Sequence, residues 1–221
     1  MSLSQVQRSP SPSADRERPA RPITLSIVQD EVTAGGVEIL LLELCKRFDR
    51  SVVEPRLICL REAGEMGADF EAAGVPVDSL RRRGWFDPTT PVRLLRTFRE
   101  TGTDVVLVTH HQRAAMVLGR IAARAARVPA NVVAAHDMDV SRVGERVLPR
   151  SVVETLFLSD ALVLLAPSQG RYLHDEEGVG RFPWRRTREV VIPNGTELGK
   201  APTRADRLAA AEMLLGEFPR V

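Results

Sequence analysis

The run Ile23-Thr24-Leu25-Ser26-Ile27-Val28, a loop to Ala34, and then Gly35-Gly36-Val37-Glu38-Ile39-Leu40-Leu41-Leu42-Glu43-Leu44 decides the fold. Its first part alternates and is rich in β-formers, so it predicts a strand. After the paired glycines, Val37, Leu40, Leu41, Leu44 and Phe48 recur at helical spacing and predict a helix buried on that face. A strand, a glycine-bearing loop and a helix make the opening unit of an alternating α/β chain.

The alternation continues outward from this unit. Val53 to Leu60 reads as a strand, and Glu65 to Ala73 as a helix stopped by Gly74. Val75 to Leu80 reads as a short strand near a sheet edge, because Pro76 lacks a ladder donor. Helices follow over Pro91 to Glu100, Arg113 to Arg127, Arg150 to Leu158, and Ser168 to Glu177, the last with Ser168 as a cap. Strands are expected at Asp104 to Val108, Val132 to Ala135, Ala161 to Ala166 and Val190 to Ile192. A final amphipathic helix is expected over Arg204 to Leu215. Val105 to Val108 and Ala161 to Leu165 show no polar side, as strands covered on both faces do. The fold class is α/β: a doubly wound, mostly parallel, Rossmann-like sheet.

Composition excludes several alternatives. The 221 residues are 43% hydrophobic and 27% charged, ordinary for a globular domain and unlike collagen, coiled coil or a wholly disordered chain. The 31 basic and 29 acidic residues nearly cancel, so no nucleic-acid partner is expected. All basic residues but Lys46 and Lys200 are arginines. Cys45 and Cys59 lie in helical and strand patterns, read as buried thiols of a reducing, cytoplasmic setting. No apolar run reaches the length of a membrane span. Residues 1–21, rich in Ser, Pro and Arg, read as a disordered tail.

In such a sheet, ligands bind beyond the carboxyl ends of the strands. The Gly35-Gly36 backbone there opens a helix whose first amides suit a phosphate. It is neither the Gly-x-Gly-x-x-Gly fingerprint nor a P-loop, which argues against a nucleotide-cofactor domain. At the same edge stand Thr109-His110-His111-Gln112 and His136-Asp137-Met138-Asp139. Histidines on this rim can hydrogen-bond a sugar hydroxyl or move a proton. Their spacing fits zinc poorly, and no metal is expected. His174, in a helical pattern, reads as a surface residue. Pro193-Asn194-Gly195 reads first as a turn. Two arginine-dense patches, Arg81-Arg82-Arg83 beside Trp85-Phe86, and Arg181, Arg185, Arg186 and Arg188, read as solvated loops or as a surface for anionic head groups or an anionic acceptor.

Taken in order, these features resemble one family. Gly35-Gly36-Val37-Glu38 with Leu40 to Leu44 resembles the Gly-Gly-x-Glu loop and helix of glycosyltransferase family 4. Glu71-Ala72-Ala73-Gly74-Val75-Pro76-Val77 is similar to the ending of its second helix. Asp104-Val105-Val106 leading to His111 resembles its Asp-Val-Val-His-x-His strand, and Val128-Pro129 leading to His136-Asp137 its histidine-ended strand. Ala166-Pro167-Ser168 resembles its Val-Ser before a helix, and Val191-Ile192-Pro193-Asn194-Gly195-Thr196-Glu197 its Val-Ile-Pro-Asn-Gly-Val-Asp.

The resemblance implies one half of a GT-B fold, the N-terminal acceptor-side domain, over residues 22–199. Residues 200–221 would be a linker and the first helix of a C-terminal donor domain. It implies a retaining transferase with a nucleotide-sugar donor and no cofactor. Gly35 and Gly36 would face the donor diphosphate, and His136 the transferred sugar or the acceptor hydroxyl. Glu38, His110, His111, Asp137 and Asn194 would bind acceptor or sugar. The expected partners are a sugar or lipid-linked acceptor, a donor-domain polypeptide, and weakly an anionic inner membrane face. The chain alone is expected to be inactive, as a truncated or split transferase. The rival expectation is a non-catalytic module that binds a glycan or lipid acceptor.

Overall fold

The computed structural model describes residues 21–84, 87–136, 142–143, 146–147, 154, 158–180, 187–195 and 203–204. Nine strands appear: β1 (Ile23–Gln29), β2 (Val53–Cys59), β3 (Val77–Ser79), β4 (Val105–Thr109), β5 (Ala130–Ala134), β6 (Arg142–Val143), β7 (Arg146–Val147), β8 (Ala161–Leu164) and β9 (Arg188–Val191). The helices with both ends among the described residues are α1 (Gly36–Arg47), α2 (Gly67–Ala72), α3 (Thr89–Glu100), α4 (Arg113–Ala126) and α5 (Pro167–Arg171), which runs into a π-helical turn, Tyr172–Glu176.

Seven strands form one sheet in the order β3-β2-β1-β4-β5-β8-β9, and every pairing in it is parallel. The order runs outward in both directions from the β1–β4 pair, so the expected doubly wound architecture is present. β3 is an edge strand, as Pro76 implied. β6 and β7 form a separate antiparallel pair that the sequence did not suggest.

The pleat divides the strands' side chains between two cores. Leu25 and Ile27 of β1 and Leu57 and Cys59 of β2 join Leu41, Leu42 and Cys45 of α1 and Phe70 of α2 on one face. Val28, Ile58, Val106 and Val108 join Leu94 and Phe98 of α3 and Met116 of α4 on the other. Ser26 also points to this second face and is fully buried. Its hydroxyl is satisfied by Thr103 Oγ1 at 2.8 Å. Both cysteines are free, and burial pushes Cys45 up to about 11 and Cys59 up to about 12, which leaves them inert thiols.

At the amino edge, Asp104 fastens β1 to β4. Its backbone N–H donates to Thr24 O, and its carboxylate accepts the Thr24 N–H. The Arg21 guanidinium grips both carboxylate oxygens, each at 2.7 Å. That grip, with the Thr24 bond, holds the Asp104 carboxyl below the usual carboxylate range.

Three local readings need correction. α1 buries Glu38, Leu41, Leu42 and Cys45, while Leu44 is 42% exposed, so the helix is rolled away from the face its apolar spacing suggested. Ser168 does not cap α5; Ala166 is the capping residue and Pro167 opens the helix. His174 is half-buried rather than a surface residue, and its ring nitrogens meet Val179 O at 2.8 Å and Glu189 Oε1 at 3.0 Å. The helices expected over Arg150 to Leu158 and Arg204 to Leu215 lie almost wholly outside the described residues.

α4 crosses the sheet at the point where strand order reverses, and Gly119 sets how closely. A Cβ there would stand 3.0 Å from Val108 Cγ1 and 3.5 Å from Val28. Gly119→Val is therefore expected to cost about 1–3 kcal/mol, read as a lower urea midpoint at unchanged slope. An unchanged midpoint would show that α4 is not seated this tightly.

Candidate functional site

The reversal between β1 and β4 opens a crevice at their carboxyl ends, and side chains from both strands' loops meet there. β1 ends at Gln29, which is fully buried; its Oε1 accepts the Thr109 hydroxyl at 3.2 Å. The next residue, Asp30, donates its N–H to Gln112 Oε1. The Gln112 amide nitrogen donates in turn to Glu31 O and to Glu38 Oε1, each at 3.0 Å. Oxygen and nitrogen of this amide are thus both engaged, which fixes its orientation. One side chain at the entry to α4 ties the β1 loop to the first turn of α1.

Glu38 is the buried centre of this arrangement, its side chain 7% exposed. Besides Gln112 it meets His111 Nε2 at 3.2 Å. It occupies the third position of α1, where a carboxylate also faces the positive end of the helix. This partnership explains the roll of α1: the helix turns its glutamate inward toward donors rather than burying Leu44.

The two glycines do different work. A Cβ on Gly35 would sit 2.5 Å from Glu38 Oε2, so Gly35 leaves room for the buried carboxylate. Gly36 faces open space, with nothing within 4 Å of a Cβ built there. The first α1 hydrogen bond runs from the Ile39 N–H to Gly35 O. The amides of Gly36, Val37 and Glu38 make no protein hydrogen bond among the described residues. Three donors therefore stand unpaired at the start of a twelve-residue helix.

Two clefts meet at Gly36. One, about 470 Å³, is lined by Asp30, Glu31, Glu38, Arg61, His111 and Gln112 among others. The other, about 680 Å³, is lined by the outer side of α1, Ile39, Leu40 and Leu44, with Asn194 and Gly195 from the loop after β9. Burial pushes the Asp30 carboxyl above the usual carboxylate range, against the opposing pull of Arg82, the Ala115 and Ala114 amides, and Arg61.

The sequence-derived candidates are thus partly brought together. Gly36, Glu38 and His111 line one crevice, Gly35 lies against the Glu38 carboxylate without lining it, and Asn194 stands across Gly36 from them. His110 is only 1% exposed, so it underlies the rim rather than facing a ligand. Its Nδ1 accepts the His136 N–H at 3.3 Å, which makes it a support for the chain after β5. His136 is half-buried at that strand's end. Asp137 lies outside the described residues. Gln112, Asp30 and Arg61 were not singled out from sequence; for Gln112 the available signal was its place between a strand end and a helix start. Among the described residues no group of three His, Cys, Asp or Glu side chains is placed to hold a metal ion. No helix among them is long and apolar enough to cross a membrane.

Removing Glu38 would leave the Gln112 and His111 donors without a buried acceptor. Glu38→Ala and Gln112→Ala are each expected to cost about 1–3 kcal/mol. In a double-mutant cycle by urea unfolding they should couple by about 0.5–3 kcal/mol. Additive losses would show that the two side chains do not act as one joint.

Comparison with known proteins agrees with this geometry. The family described as "Glycosyl transferase 4-like domain" matches residues 35–195, from the glycine pair to the turn after β9. Among solved structures, HepE from Anabaena, in complex with UDP and glucose, superposes with a TM-score of 0.61 at 16% identity, over 88% of this chain and 50% of that one. MurG from Acinetobacter baumannii superposes with a TM-score of 0.53 at 12% identity, over 82% of this chain and 48% of that one. No curated protein sequence matches. The chain spans about half the length of these two structures, and its fold is that of one half of a GT-B enzyme. With the family matched over most of its length, the chain belongs to the glycosyl transferase 4-like domain family.

Proposed function

We propose that this domain forms the acceptor-side wall of a retaining glycosyltransferase cleft and works with a nucleotide-sugar donor. The observation that carries the reading is the open backbone at Gly36. The amides of Gly36, Val37 and Glu38 have no protein hydrogen-bond partner among the described residues and Gly36 is exposed, beside a fixed Glu38–His111–Gln112 cluster at the reversal of strand order. Unpaired amides at a helix start suit a diphosphate, and HepE, similar in fold, is seen with UDP and glucose.

In this reading the donor diphosphate approaches Gly36, where no side chain blocks the backbone. Gly35 acts indirectly, by making room for Glu38. Glu38 already accepts from two side chains, so its part is to hold His111 and Gln112 in place. His111, its Nε2 held by Glu38, is partly exposed in the cleft and presents its ring to the acceptor sugar as a contact surface. His136, at the end of β5, approaches the transferred sugar, and Asn194 flanks it from the second cleft. Transfer needs donor and acceptor held together in reacting geometry, which one wall of a cleft does not supply. The 221-residue polypeptide alone is therefore expected to transfer no sugar and hydrolyse no sugar nucleotide. A donor-side domain would complete the cleft.

Nuclear magnetic resonance of the labelled chain tests the reading. UDP is expected to shift the Gly36 and Val37 amide signals in a saturable way. Gly36→Val enters open space, so stability should stay within about 1 kcal/mol while UDP affinity falls about 10-fold, or 1.4 kcal/mol. Shifts confined to other strands' ends, or an affinity untouched by the valine, would overturn it. Turnover by the pure chain would refute the incomplete-cleft part. Saturable binding of a glycan with no response to UDP would favour the non-catalytic module.

A further inference from the structure

Beside the crevice lies a second, strongly basic one. Arg61, at the end of β2, and Arg81, Arg82 and Arg83, after β3, line a cleft of about 320 Å³ with Glu31 and Glu62. Four arginines and two glutamates line it, with the Asp30 carboxyl also close to Arg61 and Arg82, so positive charge is in modest excess. The pairs that do form are long and exposed: Arg61 with Glu31 at 3.4 Å and Arg81 with Glu62 at 3.4 Å. Such surface pairs contribute little and exchange readily for a better anion. Among the described residues no carboxylate pairs with Arg82 or Arg83.

The backbone is shaped to gather these side chains. Successive residues of a strand point to opposite faces, so three consecutive arginines on one extended strand could not share a cleft. Arg81 breaks the alternation with a left-handed φ of 52°, a conformation that disfavours any residue but glycine. The run is then pinned to the end of β2, by the Arg81 N–H to Arg61 O at 3.3 Å and the Arg82 N–H to Leu60 O at 2.8 Å. A strained arginine followed by two arginines lacking ion-pair partners marks a place where local stability gave way to something else.

We propose that the Arg61–Arg81–Arg82–Arg83 cleft binds a phosphate or diphosphate group carried by the acceptor. Guanidinium groups suit this chemistry, because each can offer two parallel donors to phosphate oxygens. Position assigns the anion to the acceptor. The basic cleft shares Arg61 and Glu31 with the crevice that holds His111 and Glu38, so a sugar attached to the bound phosphate extends into that crevice. Arg82 and Arg61 also lie near enough to favour the ionised form of the Asp30 carboxyl. The assignment to an acceptor rests on the acceptor-side reading above; the binding of phosphate does not.

Inorganic pyrophosphate is the probe, titrated by calorimetry into the full 221-residue chain. Binding is expected to be saturable and to weaken at least about 10-fold, or 1.4 kcal/mol, in Arg82→Gln/Arg83→Gln. Arg82→Lys/Arg83→Lys, which keeps the charge but loses the planar fork, should fall between. Arg96→Gln/Arg99→Gln removes the same charge from exposed positions on α3 and should bind like the parent. Circular dichroism of each variant establishes that it is folded. Absent binding, equal loss in the α3 variant, or no loss in Arg82→Gln/Arg83→Gln would each overturn the proposal. Gly36→Val separates the two sites. Binding that survives it belongs to the arginines, whereas binding that it alone abolishes sinks this proposal and leaves the acceptor-side reading standing. Phosphatidylcholine vesicles with and without phosphatidylglycerol identify the source of the phosphate. Capture by the anionic vesicles, reversed by pyrophosphate, supports a lipid headgroup; pyrophosphate binding without capture supports a soluble phosphate.

Discussion

The carboxyl edge of this domain depends on one side-chain amide. Gln112 receives the Asp30 N–H and gives its own protons to Glu31 O and Glu38 Oε1. The β1 loop, the first turn of α1 and the distant entry to α4 are thereby locked where the strand order reverses. Without that joint, the buried Glu38 carboxylate of α1 would lose a donor and the Asp30 N–H its acceptor, and the roll of α1 would lose its reason. The open Gly36 amides are positioned only because α1 is held at that roll. Local hydrogen bonding, rather than hydrophobic burial, thus sets the geometry of the crevice.

The scaffold was legible because its signals are local. Runs such as Val105–Thr109 and Ala161–Leu164 can hardly be anything but buried strands, and Gly74 and Gly102 adopt the positive φ that ends a helix. The misreadings share a cause: they concern choices made between segments. Apolar spacing in α1 favoured burial of Leu44, and only a distant glutamine and histidine tip the balance toward Glu38. Ser168 has the chemistry of a cap, yet Pro167 already opens the helix, so the capping place falls to Ala166. His110 and His111 are neighbours of identical chemistry, and no sequence rule separates the buried one from the one lining the cleft. At Arg127 a non-glycine residue takes the left-handed turn that closes α4, where a glycine would have been the readable choice.

The functional edge is divided by charge. Around Gly36 the polar groups are amides, a carboxylate and a histidine, suited to hydrogen bonding. Toward β3 they give way to guanidinium groups, suited to anions. Arg61 and Glu31 line both clefts, so a bound molecule would meet the two chemistries as one surface. The near-neutral total does not show this, although the run Arg81-Arg82-Arg83 marks it in the sequence. The 31 basic residues are offset across the chain, while at this edge the arginines outnumber their partners.

The Arg21–Asp104 fork lies at the opposite rim of the sheet from all of this. It fixes where the polypeptide enters the fold, and a strand of seven residues sets the distance to the clefts at roughly 20 Å. The fork and the clefts therefore stand at opposite ends of β1, so a change at Arg21 would loosen the β1–β4 seam at its amino end while leaving the clefts' own side chains in place.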